Sequence, residues 1–218
     1  TRHSFSFASY YDPKRMGFGA LRVLNDDAIA PGAGFGEHPH DNMEIITIPL
    51  SGALKHQDNM GNSAVITTGE VQVMSAGTGV AHAEFNASET EPLTLLQIWI
   101  LTDRRNVVPR YDQRRFDTTH YQNTFFPVVE KMGGEVLGIY QEARLSLGRF
   151  EAGKKFEYVP RDLSTGVYFF VIEGEATIAD TKLHPRDAVG VWEADTVALS
   201  FDQESFVLAI EVPMNVVR

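Results

Sequence analysis

Two short stretches carry donor atoms at a spacing that suits metal chemistry, His38-Pro39-His40 and His82-Ala83-Glu84. On an extended strand alternate side chains share a face, so each pair points one way. If the two strands are neighbours, three imidazoles and a carboxylate converge. His38, His40, His82 and Glu84 are then the expected metal ligands. The chain has no cysteine, so thiolate zinc sites and cysteine-held clusters are excluded. Imidazole and carboxylate donors suit one divalent first-row ion, and four of them leave open positions on an octahedral centre. That fits Fe(II), Mn, Co or Ni better than closed tetrahedral Zn. Open positions let an ion hold a substrate and dioxygen, or polarise a bound oxygen.

His56-Gln57-Asp58 repeats the i, i+2 spacing. Its plainer reading is a core or turn histidine bonded to a backbone carbonyl. Its functional reading is a group behind the ligands that orients or deprotonates substrate. Glu44 competes with Glu84 as the carboxylate, because positions 40, 42 and 44 share a face and periodicity does not exclude it.

Short β-branched runs must position these residues. Met43-Glu-Ile-Ile-Thr-Ile-Pro49 reads as a strand ended by the Ser51-Gly52 turn, with 53–57 returning. Strands are expected at 64–68, 71–74, around His82 and over 94–101, and two more within 4–26. Pro39 supplies no ladder donor, which predicts an irregular strand near a rim there. Residues 102–131 are polar, contain Pro109 and Pro127, and read as a connector. The second half repeats the style at 135–140, 143–150, 155–159, 166–172, 175–178, 188–192, 196–201 and 206–212. Such punctuation with almost no helical period predicts an all-β sandwich or barrel with few short helices. The expected domains are 1–116, with the metal site, and 117–218, without one.

Net charge is −10, which repels a phosphate backbone and argues against direct nucleic-acid binding. The one basic cluster, Arg104, Arg105, Arg110, Arg114 and Arg115, is interrupted by Asp103, Asp112 and Asp117 and reads as solvated surface. No apolar run approaches a membrane span, and the start lacks a secretory pattern, so the expected location is the cytoplasm.

The order Gly32, His38, His40, Glu44, then Gly69, Gly77, Gly79, His82, Asn86 resembles the paired signatures of the cupin superfamily. Ser75 stands where the second signature has proline, and Gly77 and His82 are two residues further apart. These departures, with the segments 4–12, 16–26, 37–45 and 74–84, and with Gln97-Ile-Trp99 and Pro109-Arg-Tyr111, resemble the pirin family and its bacterial quercetinase-like members. The resemblance implies a bicupin of two jelly-roll-type β-barrels, with the second a degenerate cupin. It favours Glu84 over Glu44 as the ligand and iron as the metal. It also implies a flavonol dioxygenase of the quercetin 2,3-dioxygenase type, with flavonol and dioxygen as partners and Glu84 as proton acceptor. A monomer is expected. The same motif also serves a metal-dependent regulator that binds protein partners, or a cupin enzyme for another enolic substrate.

Overall fold

A computed structural model describes residues 1–216. The last two residues of the expected second domain, 217–218, lie outside the described residues. Contacts divide the chain into two compact units. The first holds Thr1–Gly17, Leu21–Phe116 and Leu137–Gln141; the second holds Phe18–Ala20, Asp117–Val136 and Glu142–Arg218. The fold is all-β, and its helical content among the described residues is one 3-10 turn, Thr118–Tyr121.

The strands of the first unit are β1 (Arg2–His3), β2 (Leu21–Ile29), β3 (Gly34–His40), β4 (Met43–Ser51), β5 (Ala53–Asp58), β6 (Ser63–Thr67), β7 (Glu70–Ser75), β8 (Val80–Asn86), β9 (Leu93–Leu101) and β10 (Arg110–Arg115). They form a six-stranded sheet, β1-β2-β9-β4-β7-β10, and a four-stranded sheet, β3-β8-β5-β6. Buried Ile29, Leu54, Ile66, Leu93 and Leu95 close one end of the space between the sheets. A row of polar side chains also faces that space. In the six-stranded sheet Asn25 lies opposite Gln97, Gln97 opposite Thr47, and Thr47 opposite Gln72. Residues directly opposite in a ladder share a face, so these side chains form one row.

Two sequence expectations are corrected here. Residues 4–26 hold one strand, β2, and not two. The earlier part is a loop in which the Ser6 hydroxyl donates to the Asp12 carbonyl and accepts from the Asp12 amide, both at 2.8 Å. Buried Phe5 and the Phe7–Tyr10 bridge gave that loop its strand-like composition. The connector 102–131 contains β10, paired along its whole length with β7. β10 is an edge strand, where charged side chains are tolerated and blunt further pairing, so its polarity mimicked a loop. Arg115 on it donates to the Thr67 hydroxyl at 2.6 Å, and Arg110 to the Gly138 carbonyl.

The stretch 102–131 also ends in a strand, β11 (Phe126–Lys131), and after it come β12 (Leu137–Ile139), β13 (Arg144–Phe150), β14 (Lys155–Tyr158), β15 (Thr165–Glu173), β16 (Ala176–Ile178), β17 (Thr181–Leu183), β18 (Ala188–Trp192), β19 (Val197–Ser200) and β20 (Ser205–Pro213). β11 and β17 escaped the sequence reading, being short and partly polar. In the second unit β11, β13, β20, β15 and β18 lie side by side in that order, and β14-β19-β16-β17 form a four-stranded sheet. Its interior is packed with aromatic rings: Phe150 stacks on Phe201 at 4.2 Å, and Phe169 meets Tyr158 edge-on at 5.3 Å. The fully buried Glu211 accepts from the Tyr158 hydroxyl, the Thr165 hydroxyl and both the backbone and side chain of Arg161.

Candidate metal centre

β3 and β8 bring the three predicted imidazoles together by a shift in register. Phe35 lies opposite Glu84, yet His38 lies opposite His82, so three steps along β3 match two along β8. Phe35 shares the inward face of Glu84. Unbroken alternation from Phe35 would have turned Glu37 and Pro39 inward; the extra residue turns His38 and His40 inward instead. Gly34 permits the close strand contact at the start of β3. A Cβ there would sit 2.2 Å from the Glu84 carbonyl oxygen and 2.5 Å from Phe85 Cα.

The three imidazoles pack as a triangle, with ring centroids 4.5 Å apart for His38 and His82, 4.8 Å for His38 and His40, and 4.9 Å for His40 and His82. One nitrogen from each lies within 4.8 Å of the others. His40 Nε2 and His82 Nε2 face each other at 3.0 Å. His38 donates Nδ1–H to the Gly36 carbonyl at 2.8 Å, which leaves its Nε2 as a bare lone pair. Burial lowers His82 to about 3 and His40 to about 4, with the neighbouring histidines adding to the effect. Both rings are therefore neutral at neutral pH, the state that ligates a cation.

Glu84 groups with His82 and the fully buried His56 and lines the same cavity as His38 and His40. Its Oε2 accepts from Gln97 Nε2 at 2.9 Å, while Oε1 is buried without a well-formed hydrogen bond. Burial, then the Asp27 carboxylate, raise Glu84 to about 7 against the opposing Gln97 bond. Three converging imidazole nitrogens are a donor set that a divalent transition ion takes, so His38, His40 and His82 fit such an ion.

Glu44 is placed elsewhere. Asn42, with φ of 45°, breaks the strand between His40 and Met43, so the parity argument does not carry across. On β4 it is Ile45 and Thr47 that face the site. Glu44 lies on the opposite face, where its Oε2 accepts from the Ser75 hydroxyl at 2.6 Å. His56 is bonded not to a carbonyl but to the Asp58 carboxylate, Nε2 to Oδ2 at 3.2 Å, and burial lowers its pKa.

The triangle forms part of the wall of a cavity of about 470 Å3. Phe7, Phe35, Ile45 and Trp99 supply its apolar lining, and Asn25, Asp27 and Gln97 its polar one. Trp99 meets the His40 ring edge-on at 4.8 Å and is itself met edge-on by Phe7 at 5.3 Å. The sequence reading did not assign Asn25, Asp27, Thr47 or Gln97 to the site. A signal existed: in Leu95-Leu-Gln97-Ile-Trp99 the alternate positions put Gln97 and Trp99 on one face.

The Pirin family model matches residues 1–100, and the quercetinase C-terminal cupin domain model matches residues 128–212. The quercetin 2,3-dioxygenase of Escherichia coli strain K12 is 42% identical over 212 residues, 97% of this chain and 90% of that protein. The chain belongs to the pirin family. Pirin-family coordinates agree with the strand arrangement. The crystal structure of YhhW from Escherichia coli superposes with a TM-score of 0.93 at 39% identity, covering 99% of this chain and 91% of that one. A structure of the bacterial pirin YhhW in complex with nickel(II) gives 0.91 at 40% identity, over 97% and 90% of the two chains.

Proposed function

We propose that this chain is a metal-dependent dioxygenase of the quercetin 2,3-dioxygenase type, which opens the heterocycle of a flavonol and releases carbon monoxide. The observation that carries the proposal is the convergence of three imidazole nitrogens on the wall of a cavity of about 470 Å3 that is also lined by Phe7, Phe35 and Trp99. That volume falls in the ~300–1,000 Å3 range of small-molecule pockets. The names of the related proteins support the reaction type.

In this reading His38, His40 and His82 hold one divalent ion, Fe(II) by preference, with Glu84 completing the set. A bound ion supplies Lewis acidity at the enolic 3-hydroxyl and open positions toward dioxygen. Glu84 accepts the hydroxyl proton on Oε1, the oxygen with spare acceptor capacity. Gln97 anchors the other oxygen, so the carboxylate keeps its aim during the transfer. Trp99, Phe7 and Phe35 offer flat apolar surface to the substrate rings, and the depth of His82 and Glu84 keeps bulk water from the reacting atoms. Both atoms of dioxygen enter the ring-opened ester, one on each carbon that flanked C3, while C3 leaves as carbon monoxide with the oxygen of its own hydroxyl. The domain 1–116 performs this chemistry, and 117–218 is a degenerate cupin that serves packing.

Elemental analysis followed by an aerobic flavonol assay, after reconstitution with Fe(II), Mn, Co, Ni or Zn, tests the proposal. His40→Ala is expected to abolish metal retention and turnover together. Turnover that survives loss of the metal overturns the assignment. A metal-loaded protein that leaves flavonol absorbance unchanged in air overturns the dioxygenase reading and favours a regulator.

A further inference from the structure

Behind the imidazole triangle lies a chain of groups that the proposed reaction does not use. Asp58 is fixed by the Met60 and Asn62 amides at 3.0 and 2.9 Å and by the Asn62 side-chain amide at 2.8 Å. A carboxylate engaged with three donors is an acceptor, so the 3.2 Å contact with His56 is a donation from His56 Nε2–H. A neutral imidazole carries one N–H, which leaves His56 Nδ1 as a lone pair. That atom faces His82 Nδ1 at 3.5 Å, and two lone pairs would repel there, so the proton between them is carried by His82. His82 then keeps its Nε2 lone pair for the side where His38 and His40 stand, and in the metal-free chain it accepts there from His40 Nε2–H at 3.0 Å. Tyr111 stacks on the His56 ring at 4.7 Å and holds its plane.

We infer that His56 is a positioning residue: linked to Asp58, it fixes the tautomer and orientation of His82 so that Nε2 is always presented to the metal. The inference rests on the metal reading above but not on the substrate. His56 is not a ligand itself, because both its nitrogens are engaged and it does not line the cavity. Such a chain places a negative charge two rings behind the ion and makes the His82 lone pair more basic.

The test is two-bond 1H–15N correlation of the histidine rings in the metal-free protein, joined to Ni(II) titration against a competing chelator. Wild type is expected to show His82 protonated at Nδ1 and His56 at Nε2. His56→Leu should turn His82 into a mixture of tautomers and weaken Ni(II) binding by about 10–100-fold. His56→Asn, whose side-chain oxygen can take the place of Nδ1, should restore the tautomer and most of the affinity. Wild type with His82 protonated at Nε2 overturns the inference, and that measurement needs no variant to fold. So does His56→Leu with wild-type affinity, or a loss of binding in both variants as complete as in His40→Ala, which would make His56 a ligand. If wild type binds no Ni(II), the metal reading fails while the tautomer result still stands by itself.

Discussion

Two buried glutamates set the two units apart. Glu211 in the second unit is saturated by two hydroxyls and by the backbone and guanidinium of Arg161. Glu84 in the first unit has Gln97 on one oxygen and nothing well formed on the other. Their surroundings differ in the same sense. Glu211 adjoins a unit filled by Phe150, Phe169, Phe201 and their neighbours, whereas Glu84 stands among imidazoles and amides beside a cavity. A satisfied interior carboxylate is part of the architecture. One with unused acceptor capacity in a dry place lacks a partner, which the proposed function supplies as an ion or a substrate hydroxyl.

Each half of this comparison can be broken. The largest effect on stability is expected in the second unit. Arg161→Ala strands the Glu211 charge and should cost about 3 kcal/mol, the low end for breaking a buried pair because the guanidinium is 28% exposed. Urea unfolding of the metal-free protein measures it, and a cost under about 1 kcal/mol would show that Glu211 does not depend on its partners. Glu84→Gln should change the stability of the metal-free protein by less than about 1 kcal/mol, since little holds that carboxylate, while lowering flavonol turnover by at least about 100-fold. A stability loss comparable with that of Arg161→Ala would make Glu84 structural and erase the contrast.

The smallest effect concerns Glu44, the carboxylate that faces away from the site. Burial raises its pKa above the ordinary 4.5, outweighing the Ser75 hydrogen bond. A carboxyl raised on folding contributes its full share of stability below its unfolded value and loses it as pH rises through the folded value. Wild type should therefore lose stability relative to Glu44→Gln as pH climbs from about 4.5, and the two melting curves should converge below it. A gap that widens on the acid side instead would mean that Glu44 is stabilised as the anion.

Part of this was legible in the sequence. His38, His40 and His82 were readable because i, i+2 spacing on strands is local, and the all-β class followed from turn residues between β-branched runs. Whatever depended on register was not. The extra residue before His38, the row Asn25-Gln97-Thr47-Gln72 and the contact of His56 with His82 each join residues of different strands, which no single window displays. Parity left Glu44 open because one residue at positive φ, Asn42, resets the alternation without leaving a mark in the polarity pattern.

β3 closes with a consequence of its own. It is the last strand of its sheet, bonded to β8 alone, and within it Pro39 offers no amide. Two of the three nitrogens thus ride on the most weakly fastened strand of the pair, and a cation gripping both strands becomes their second fastener. Under the proposed metal site, removal of the cation is expected to raise hydrogen exchange along 34–40, and exchange that is the same with and without metal would show that the ion does not fasten this strand.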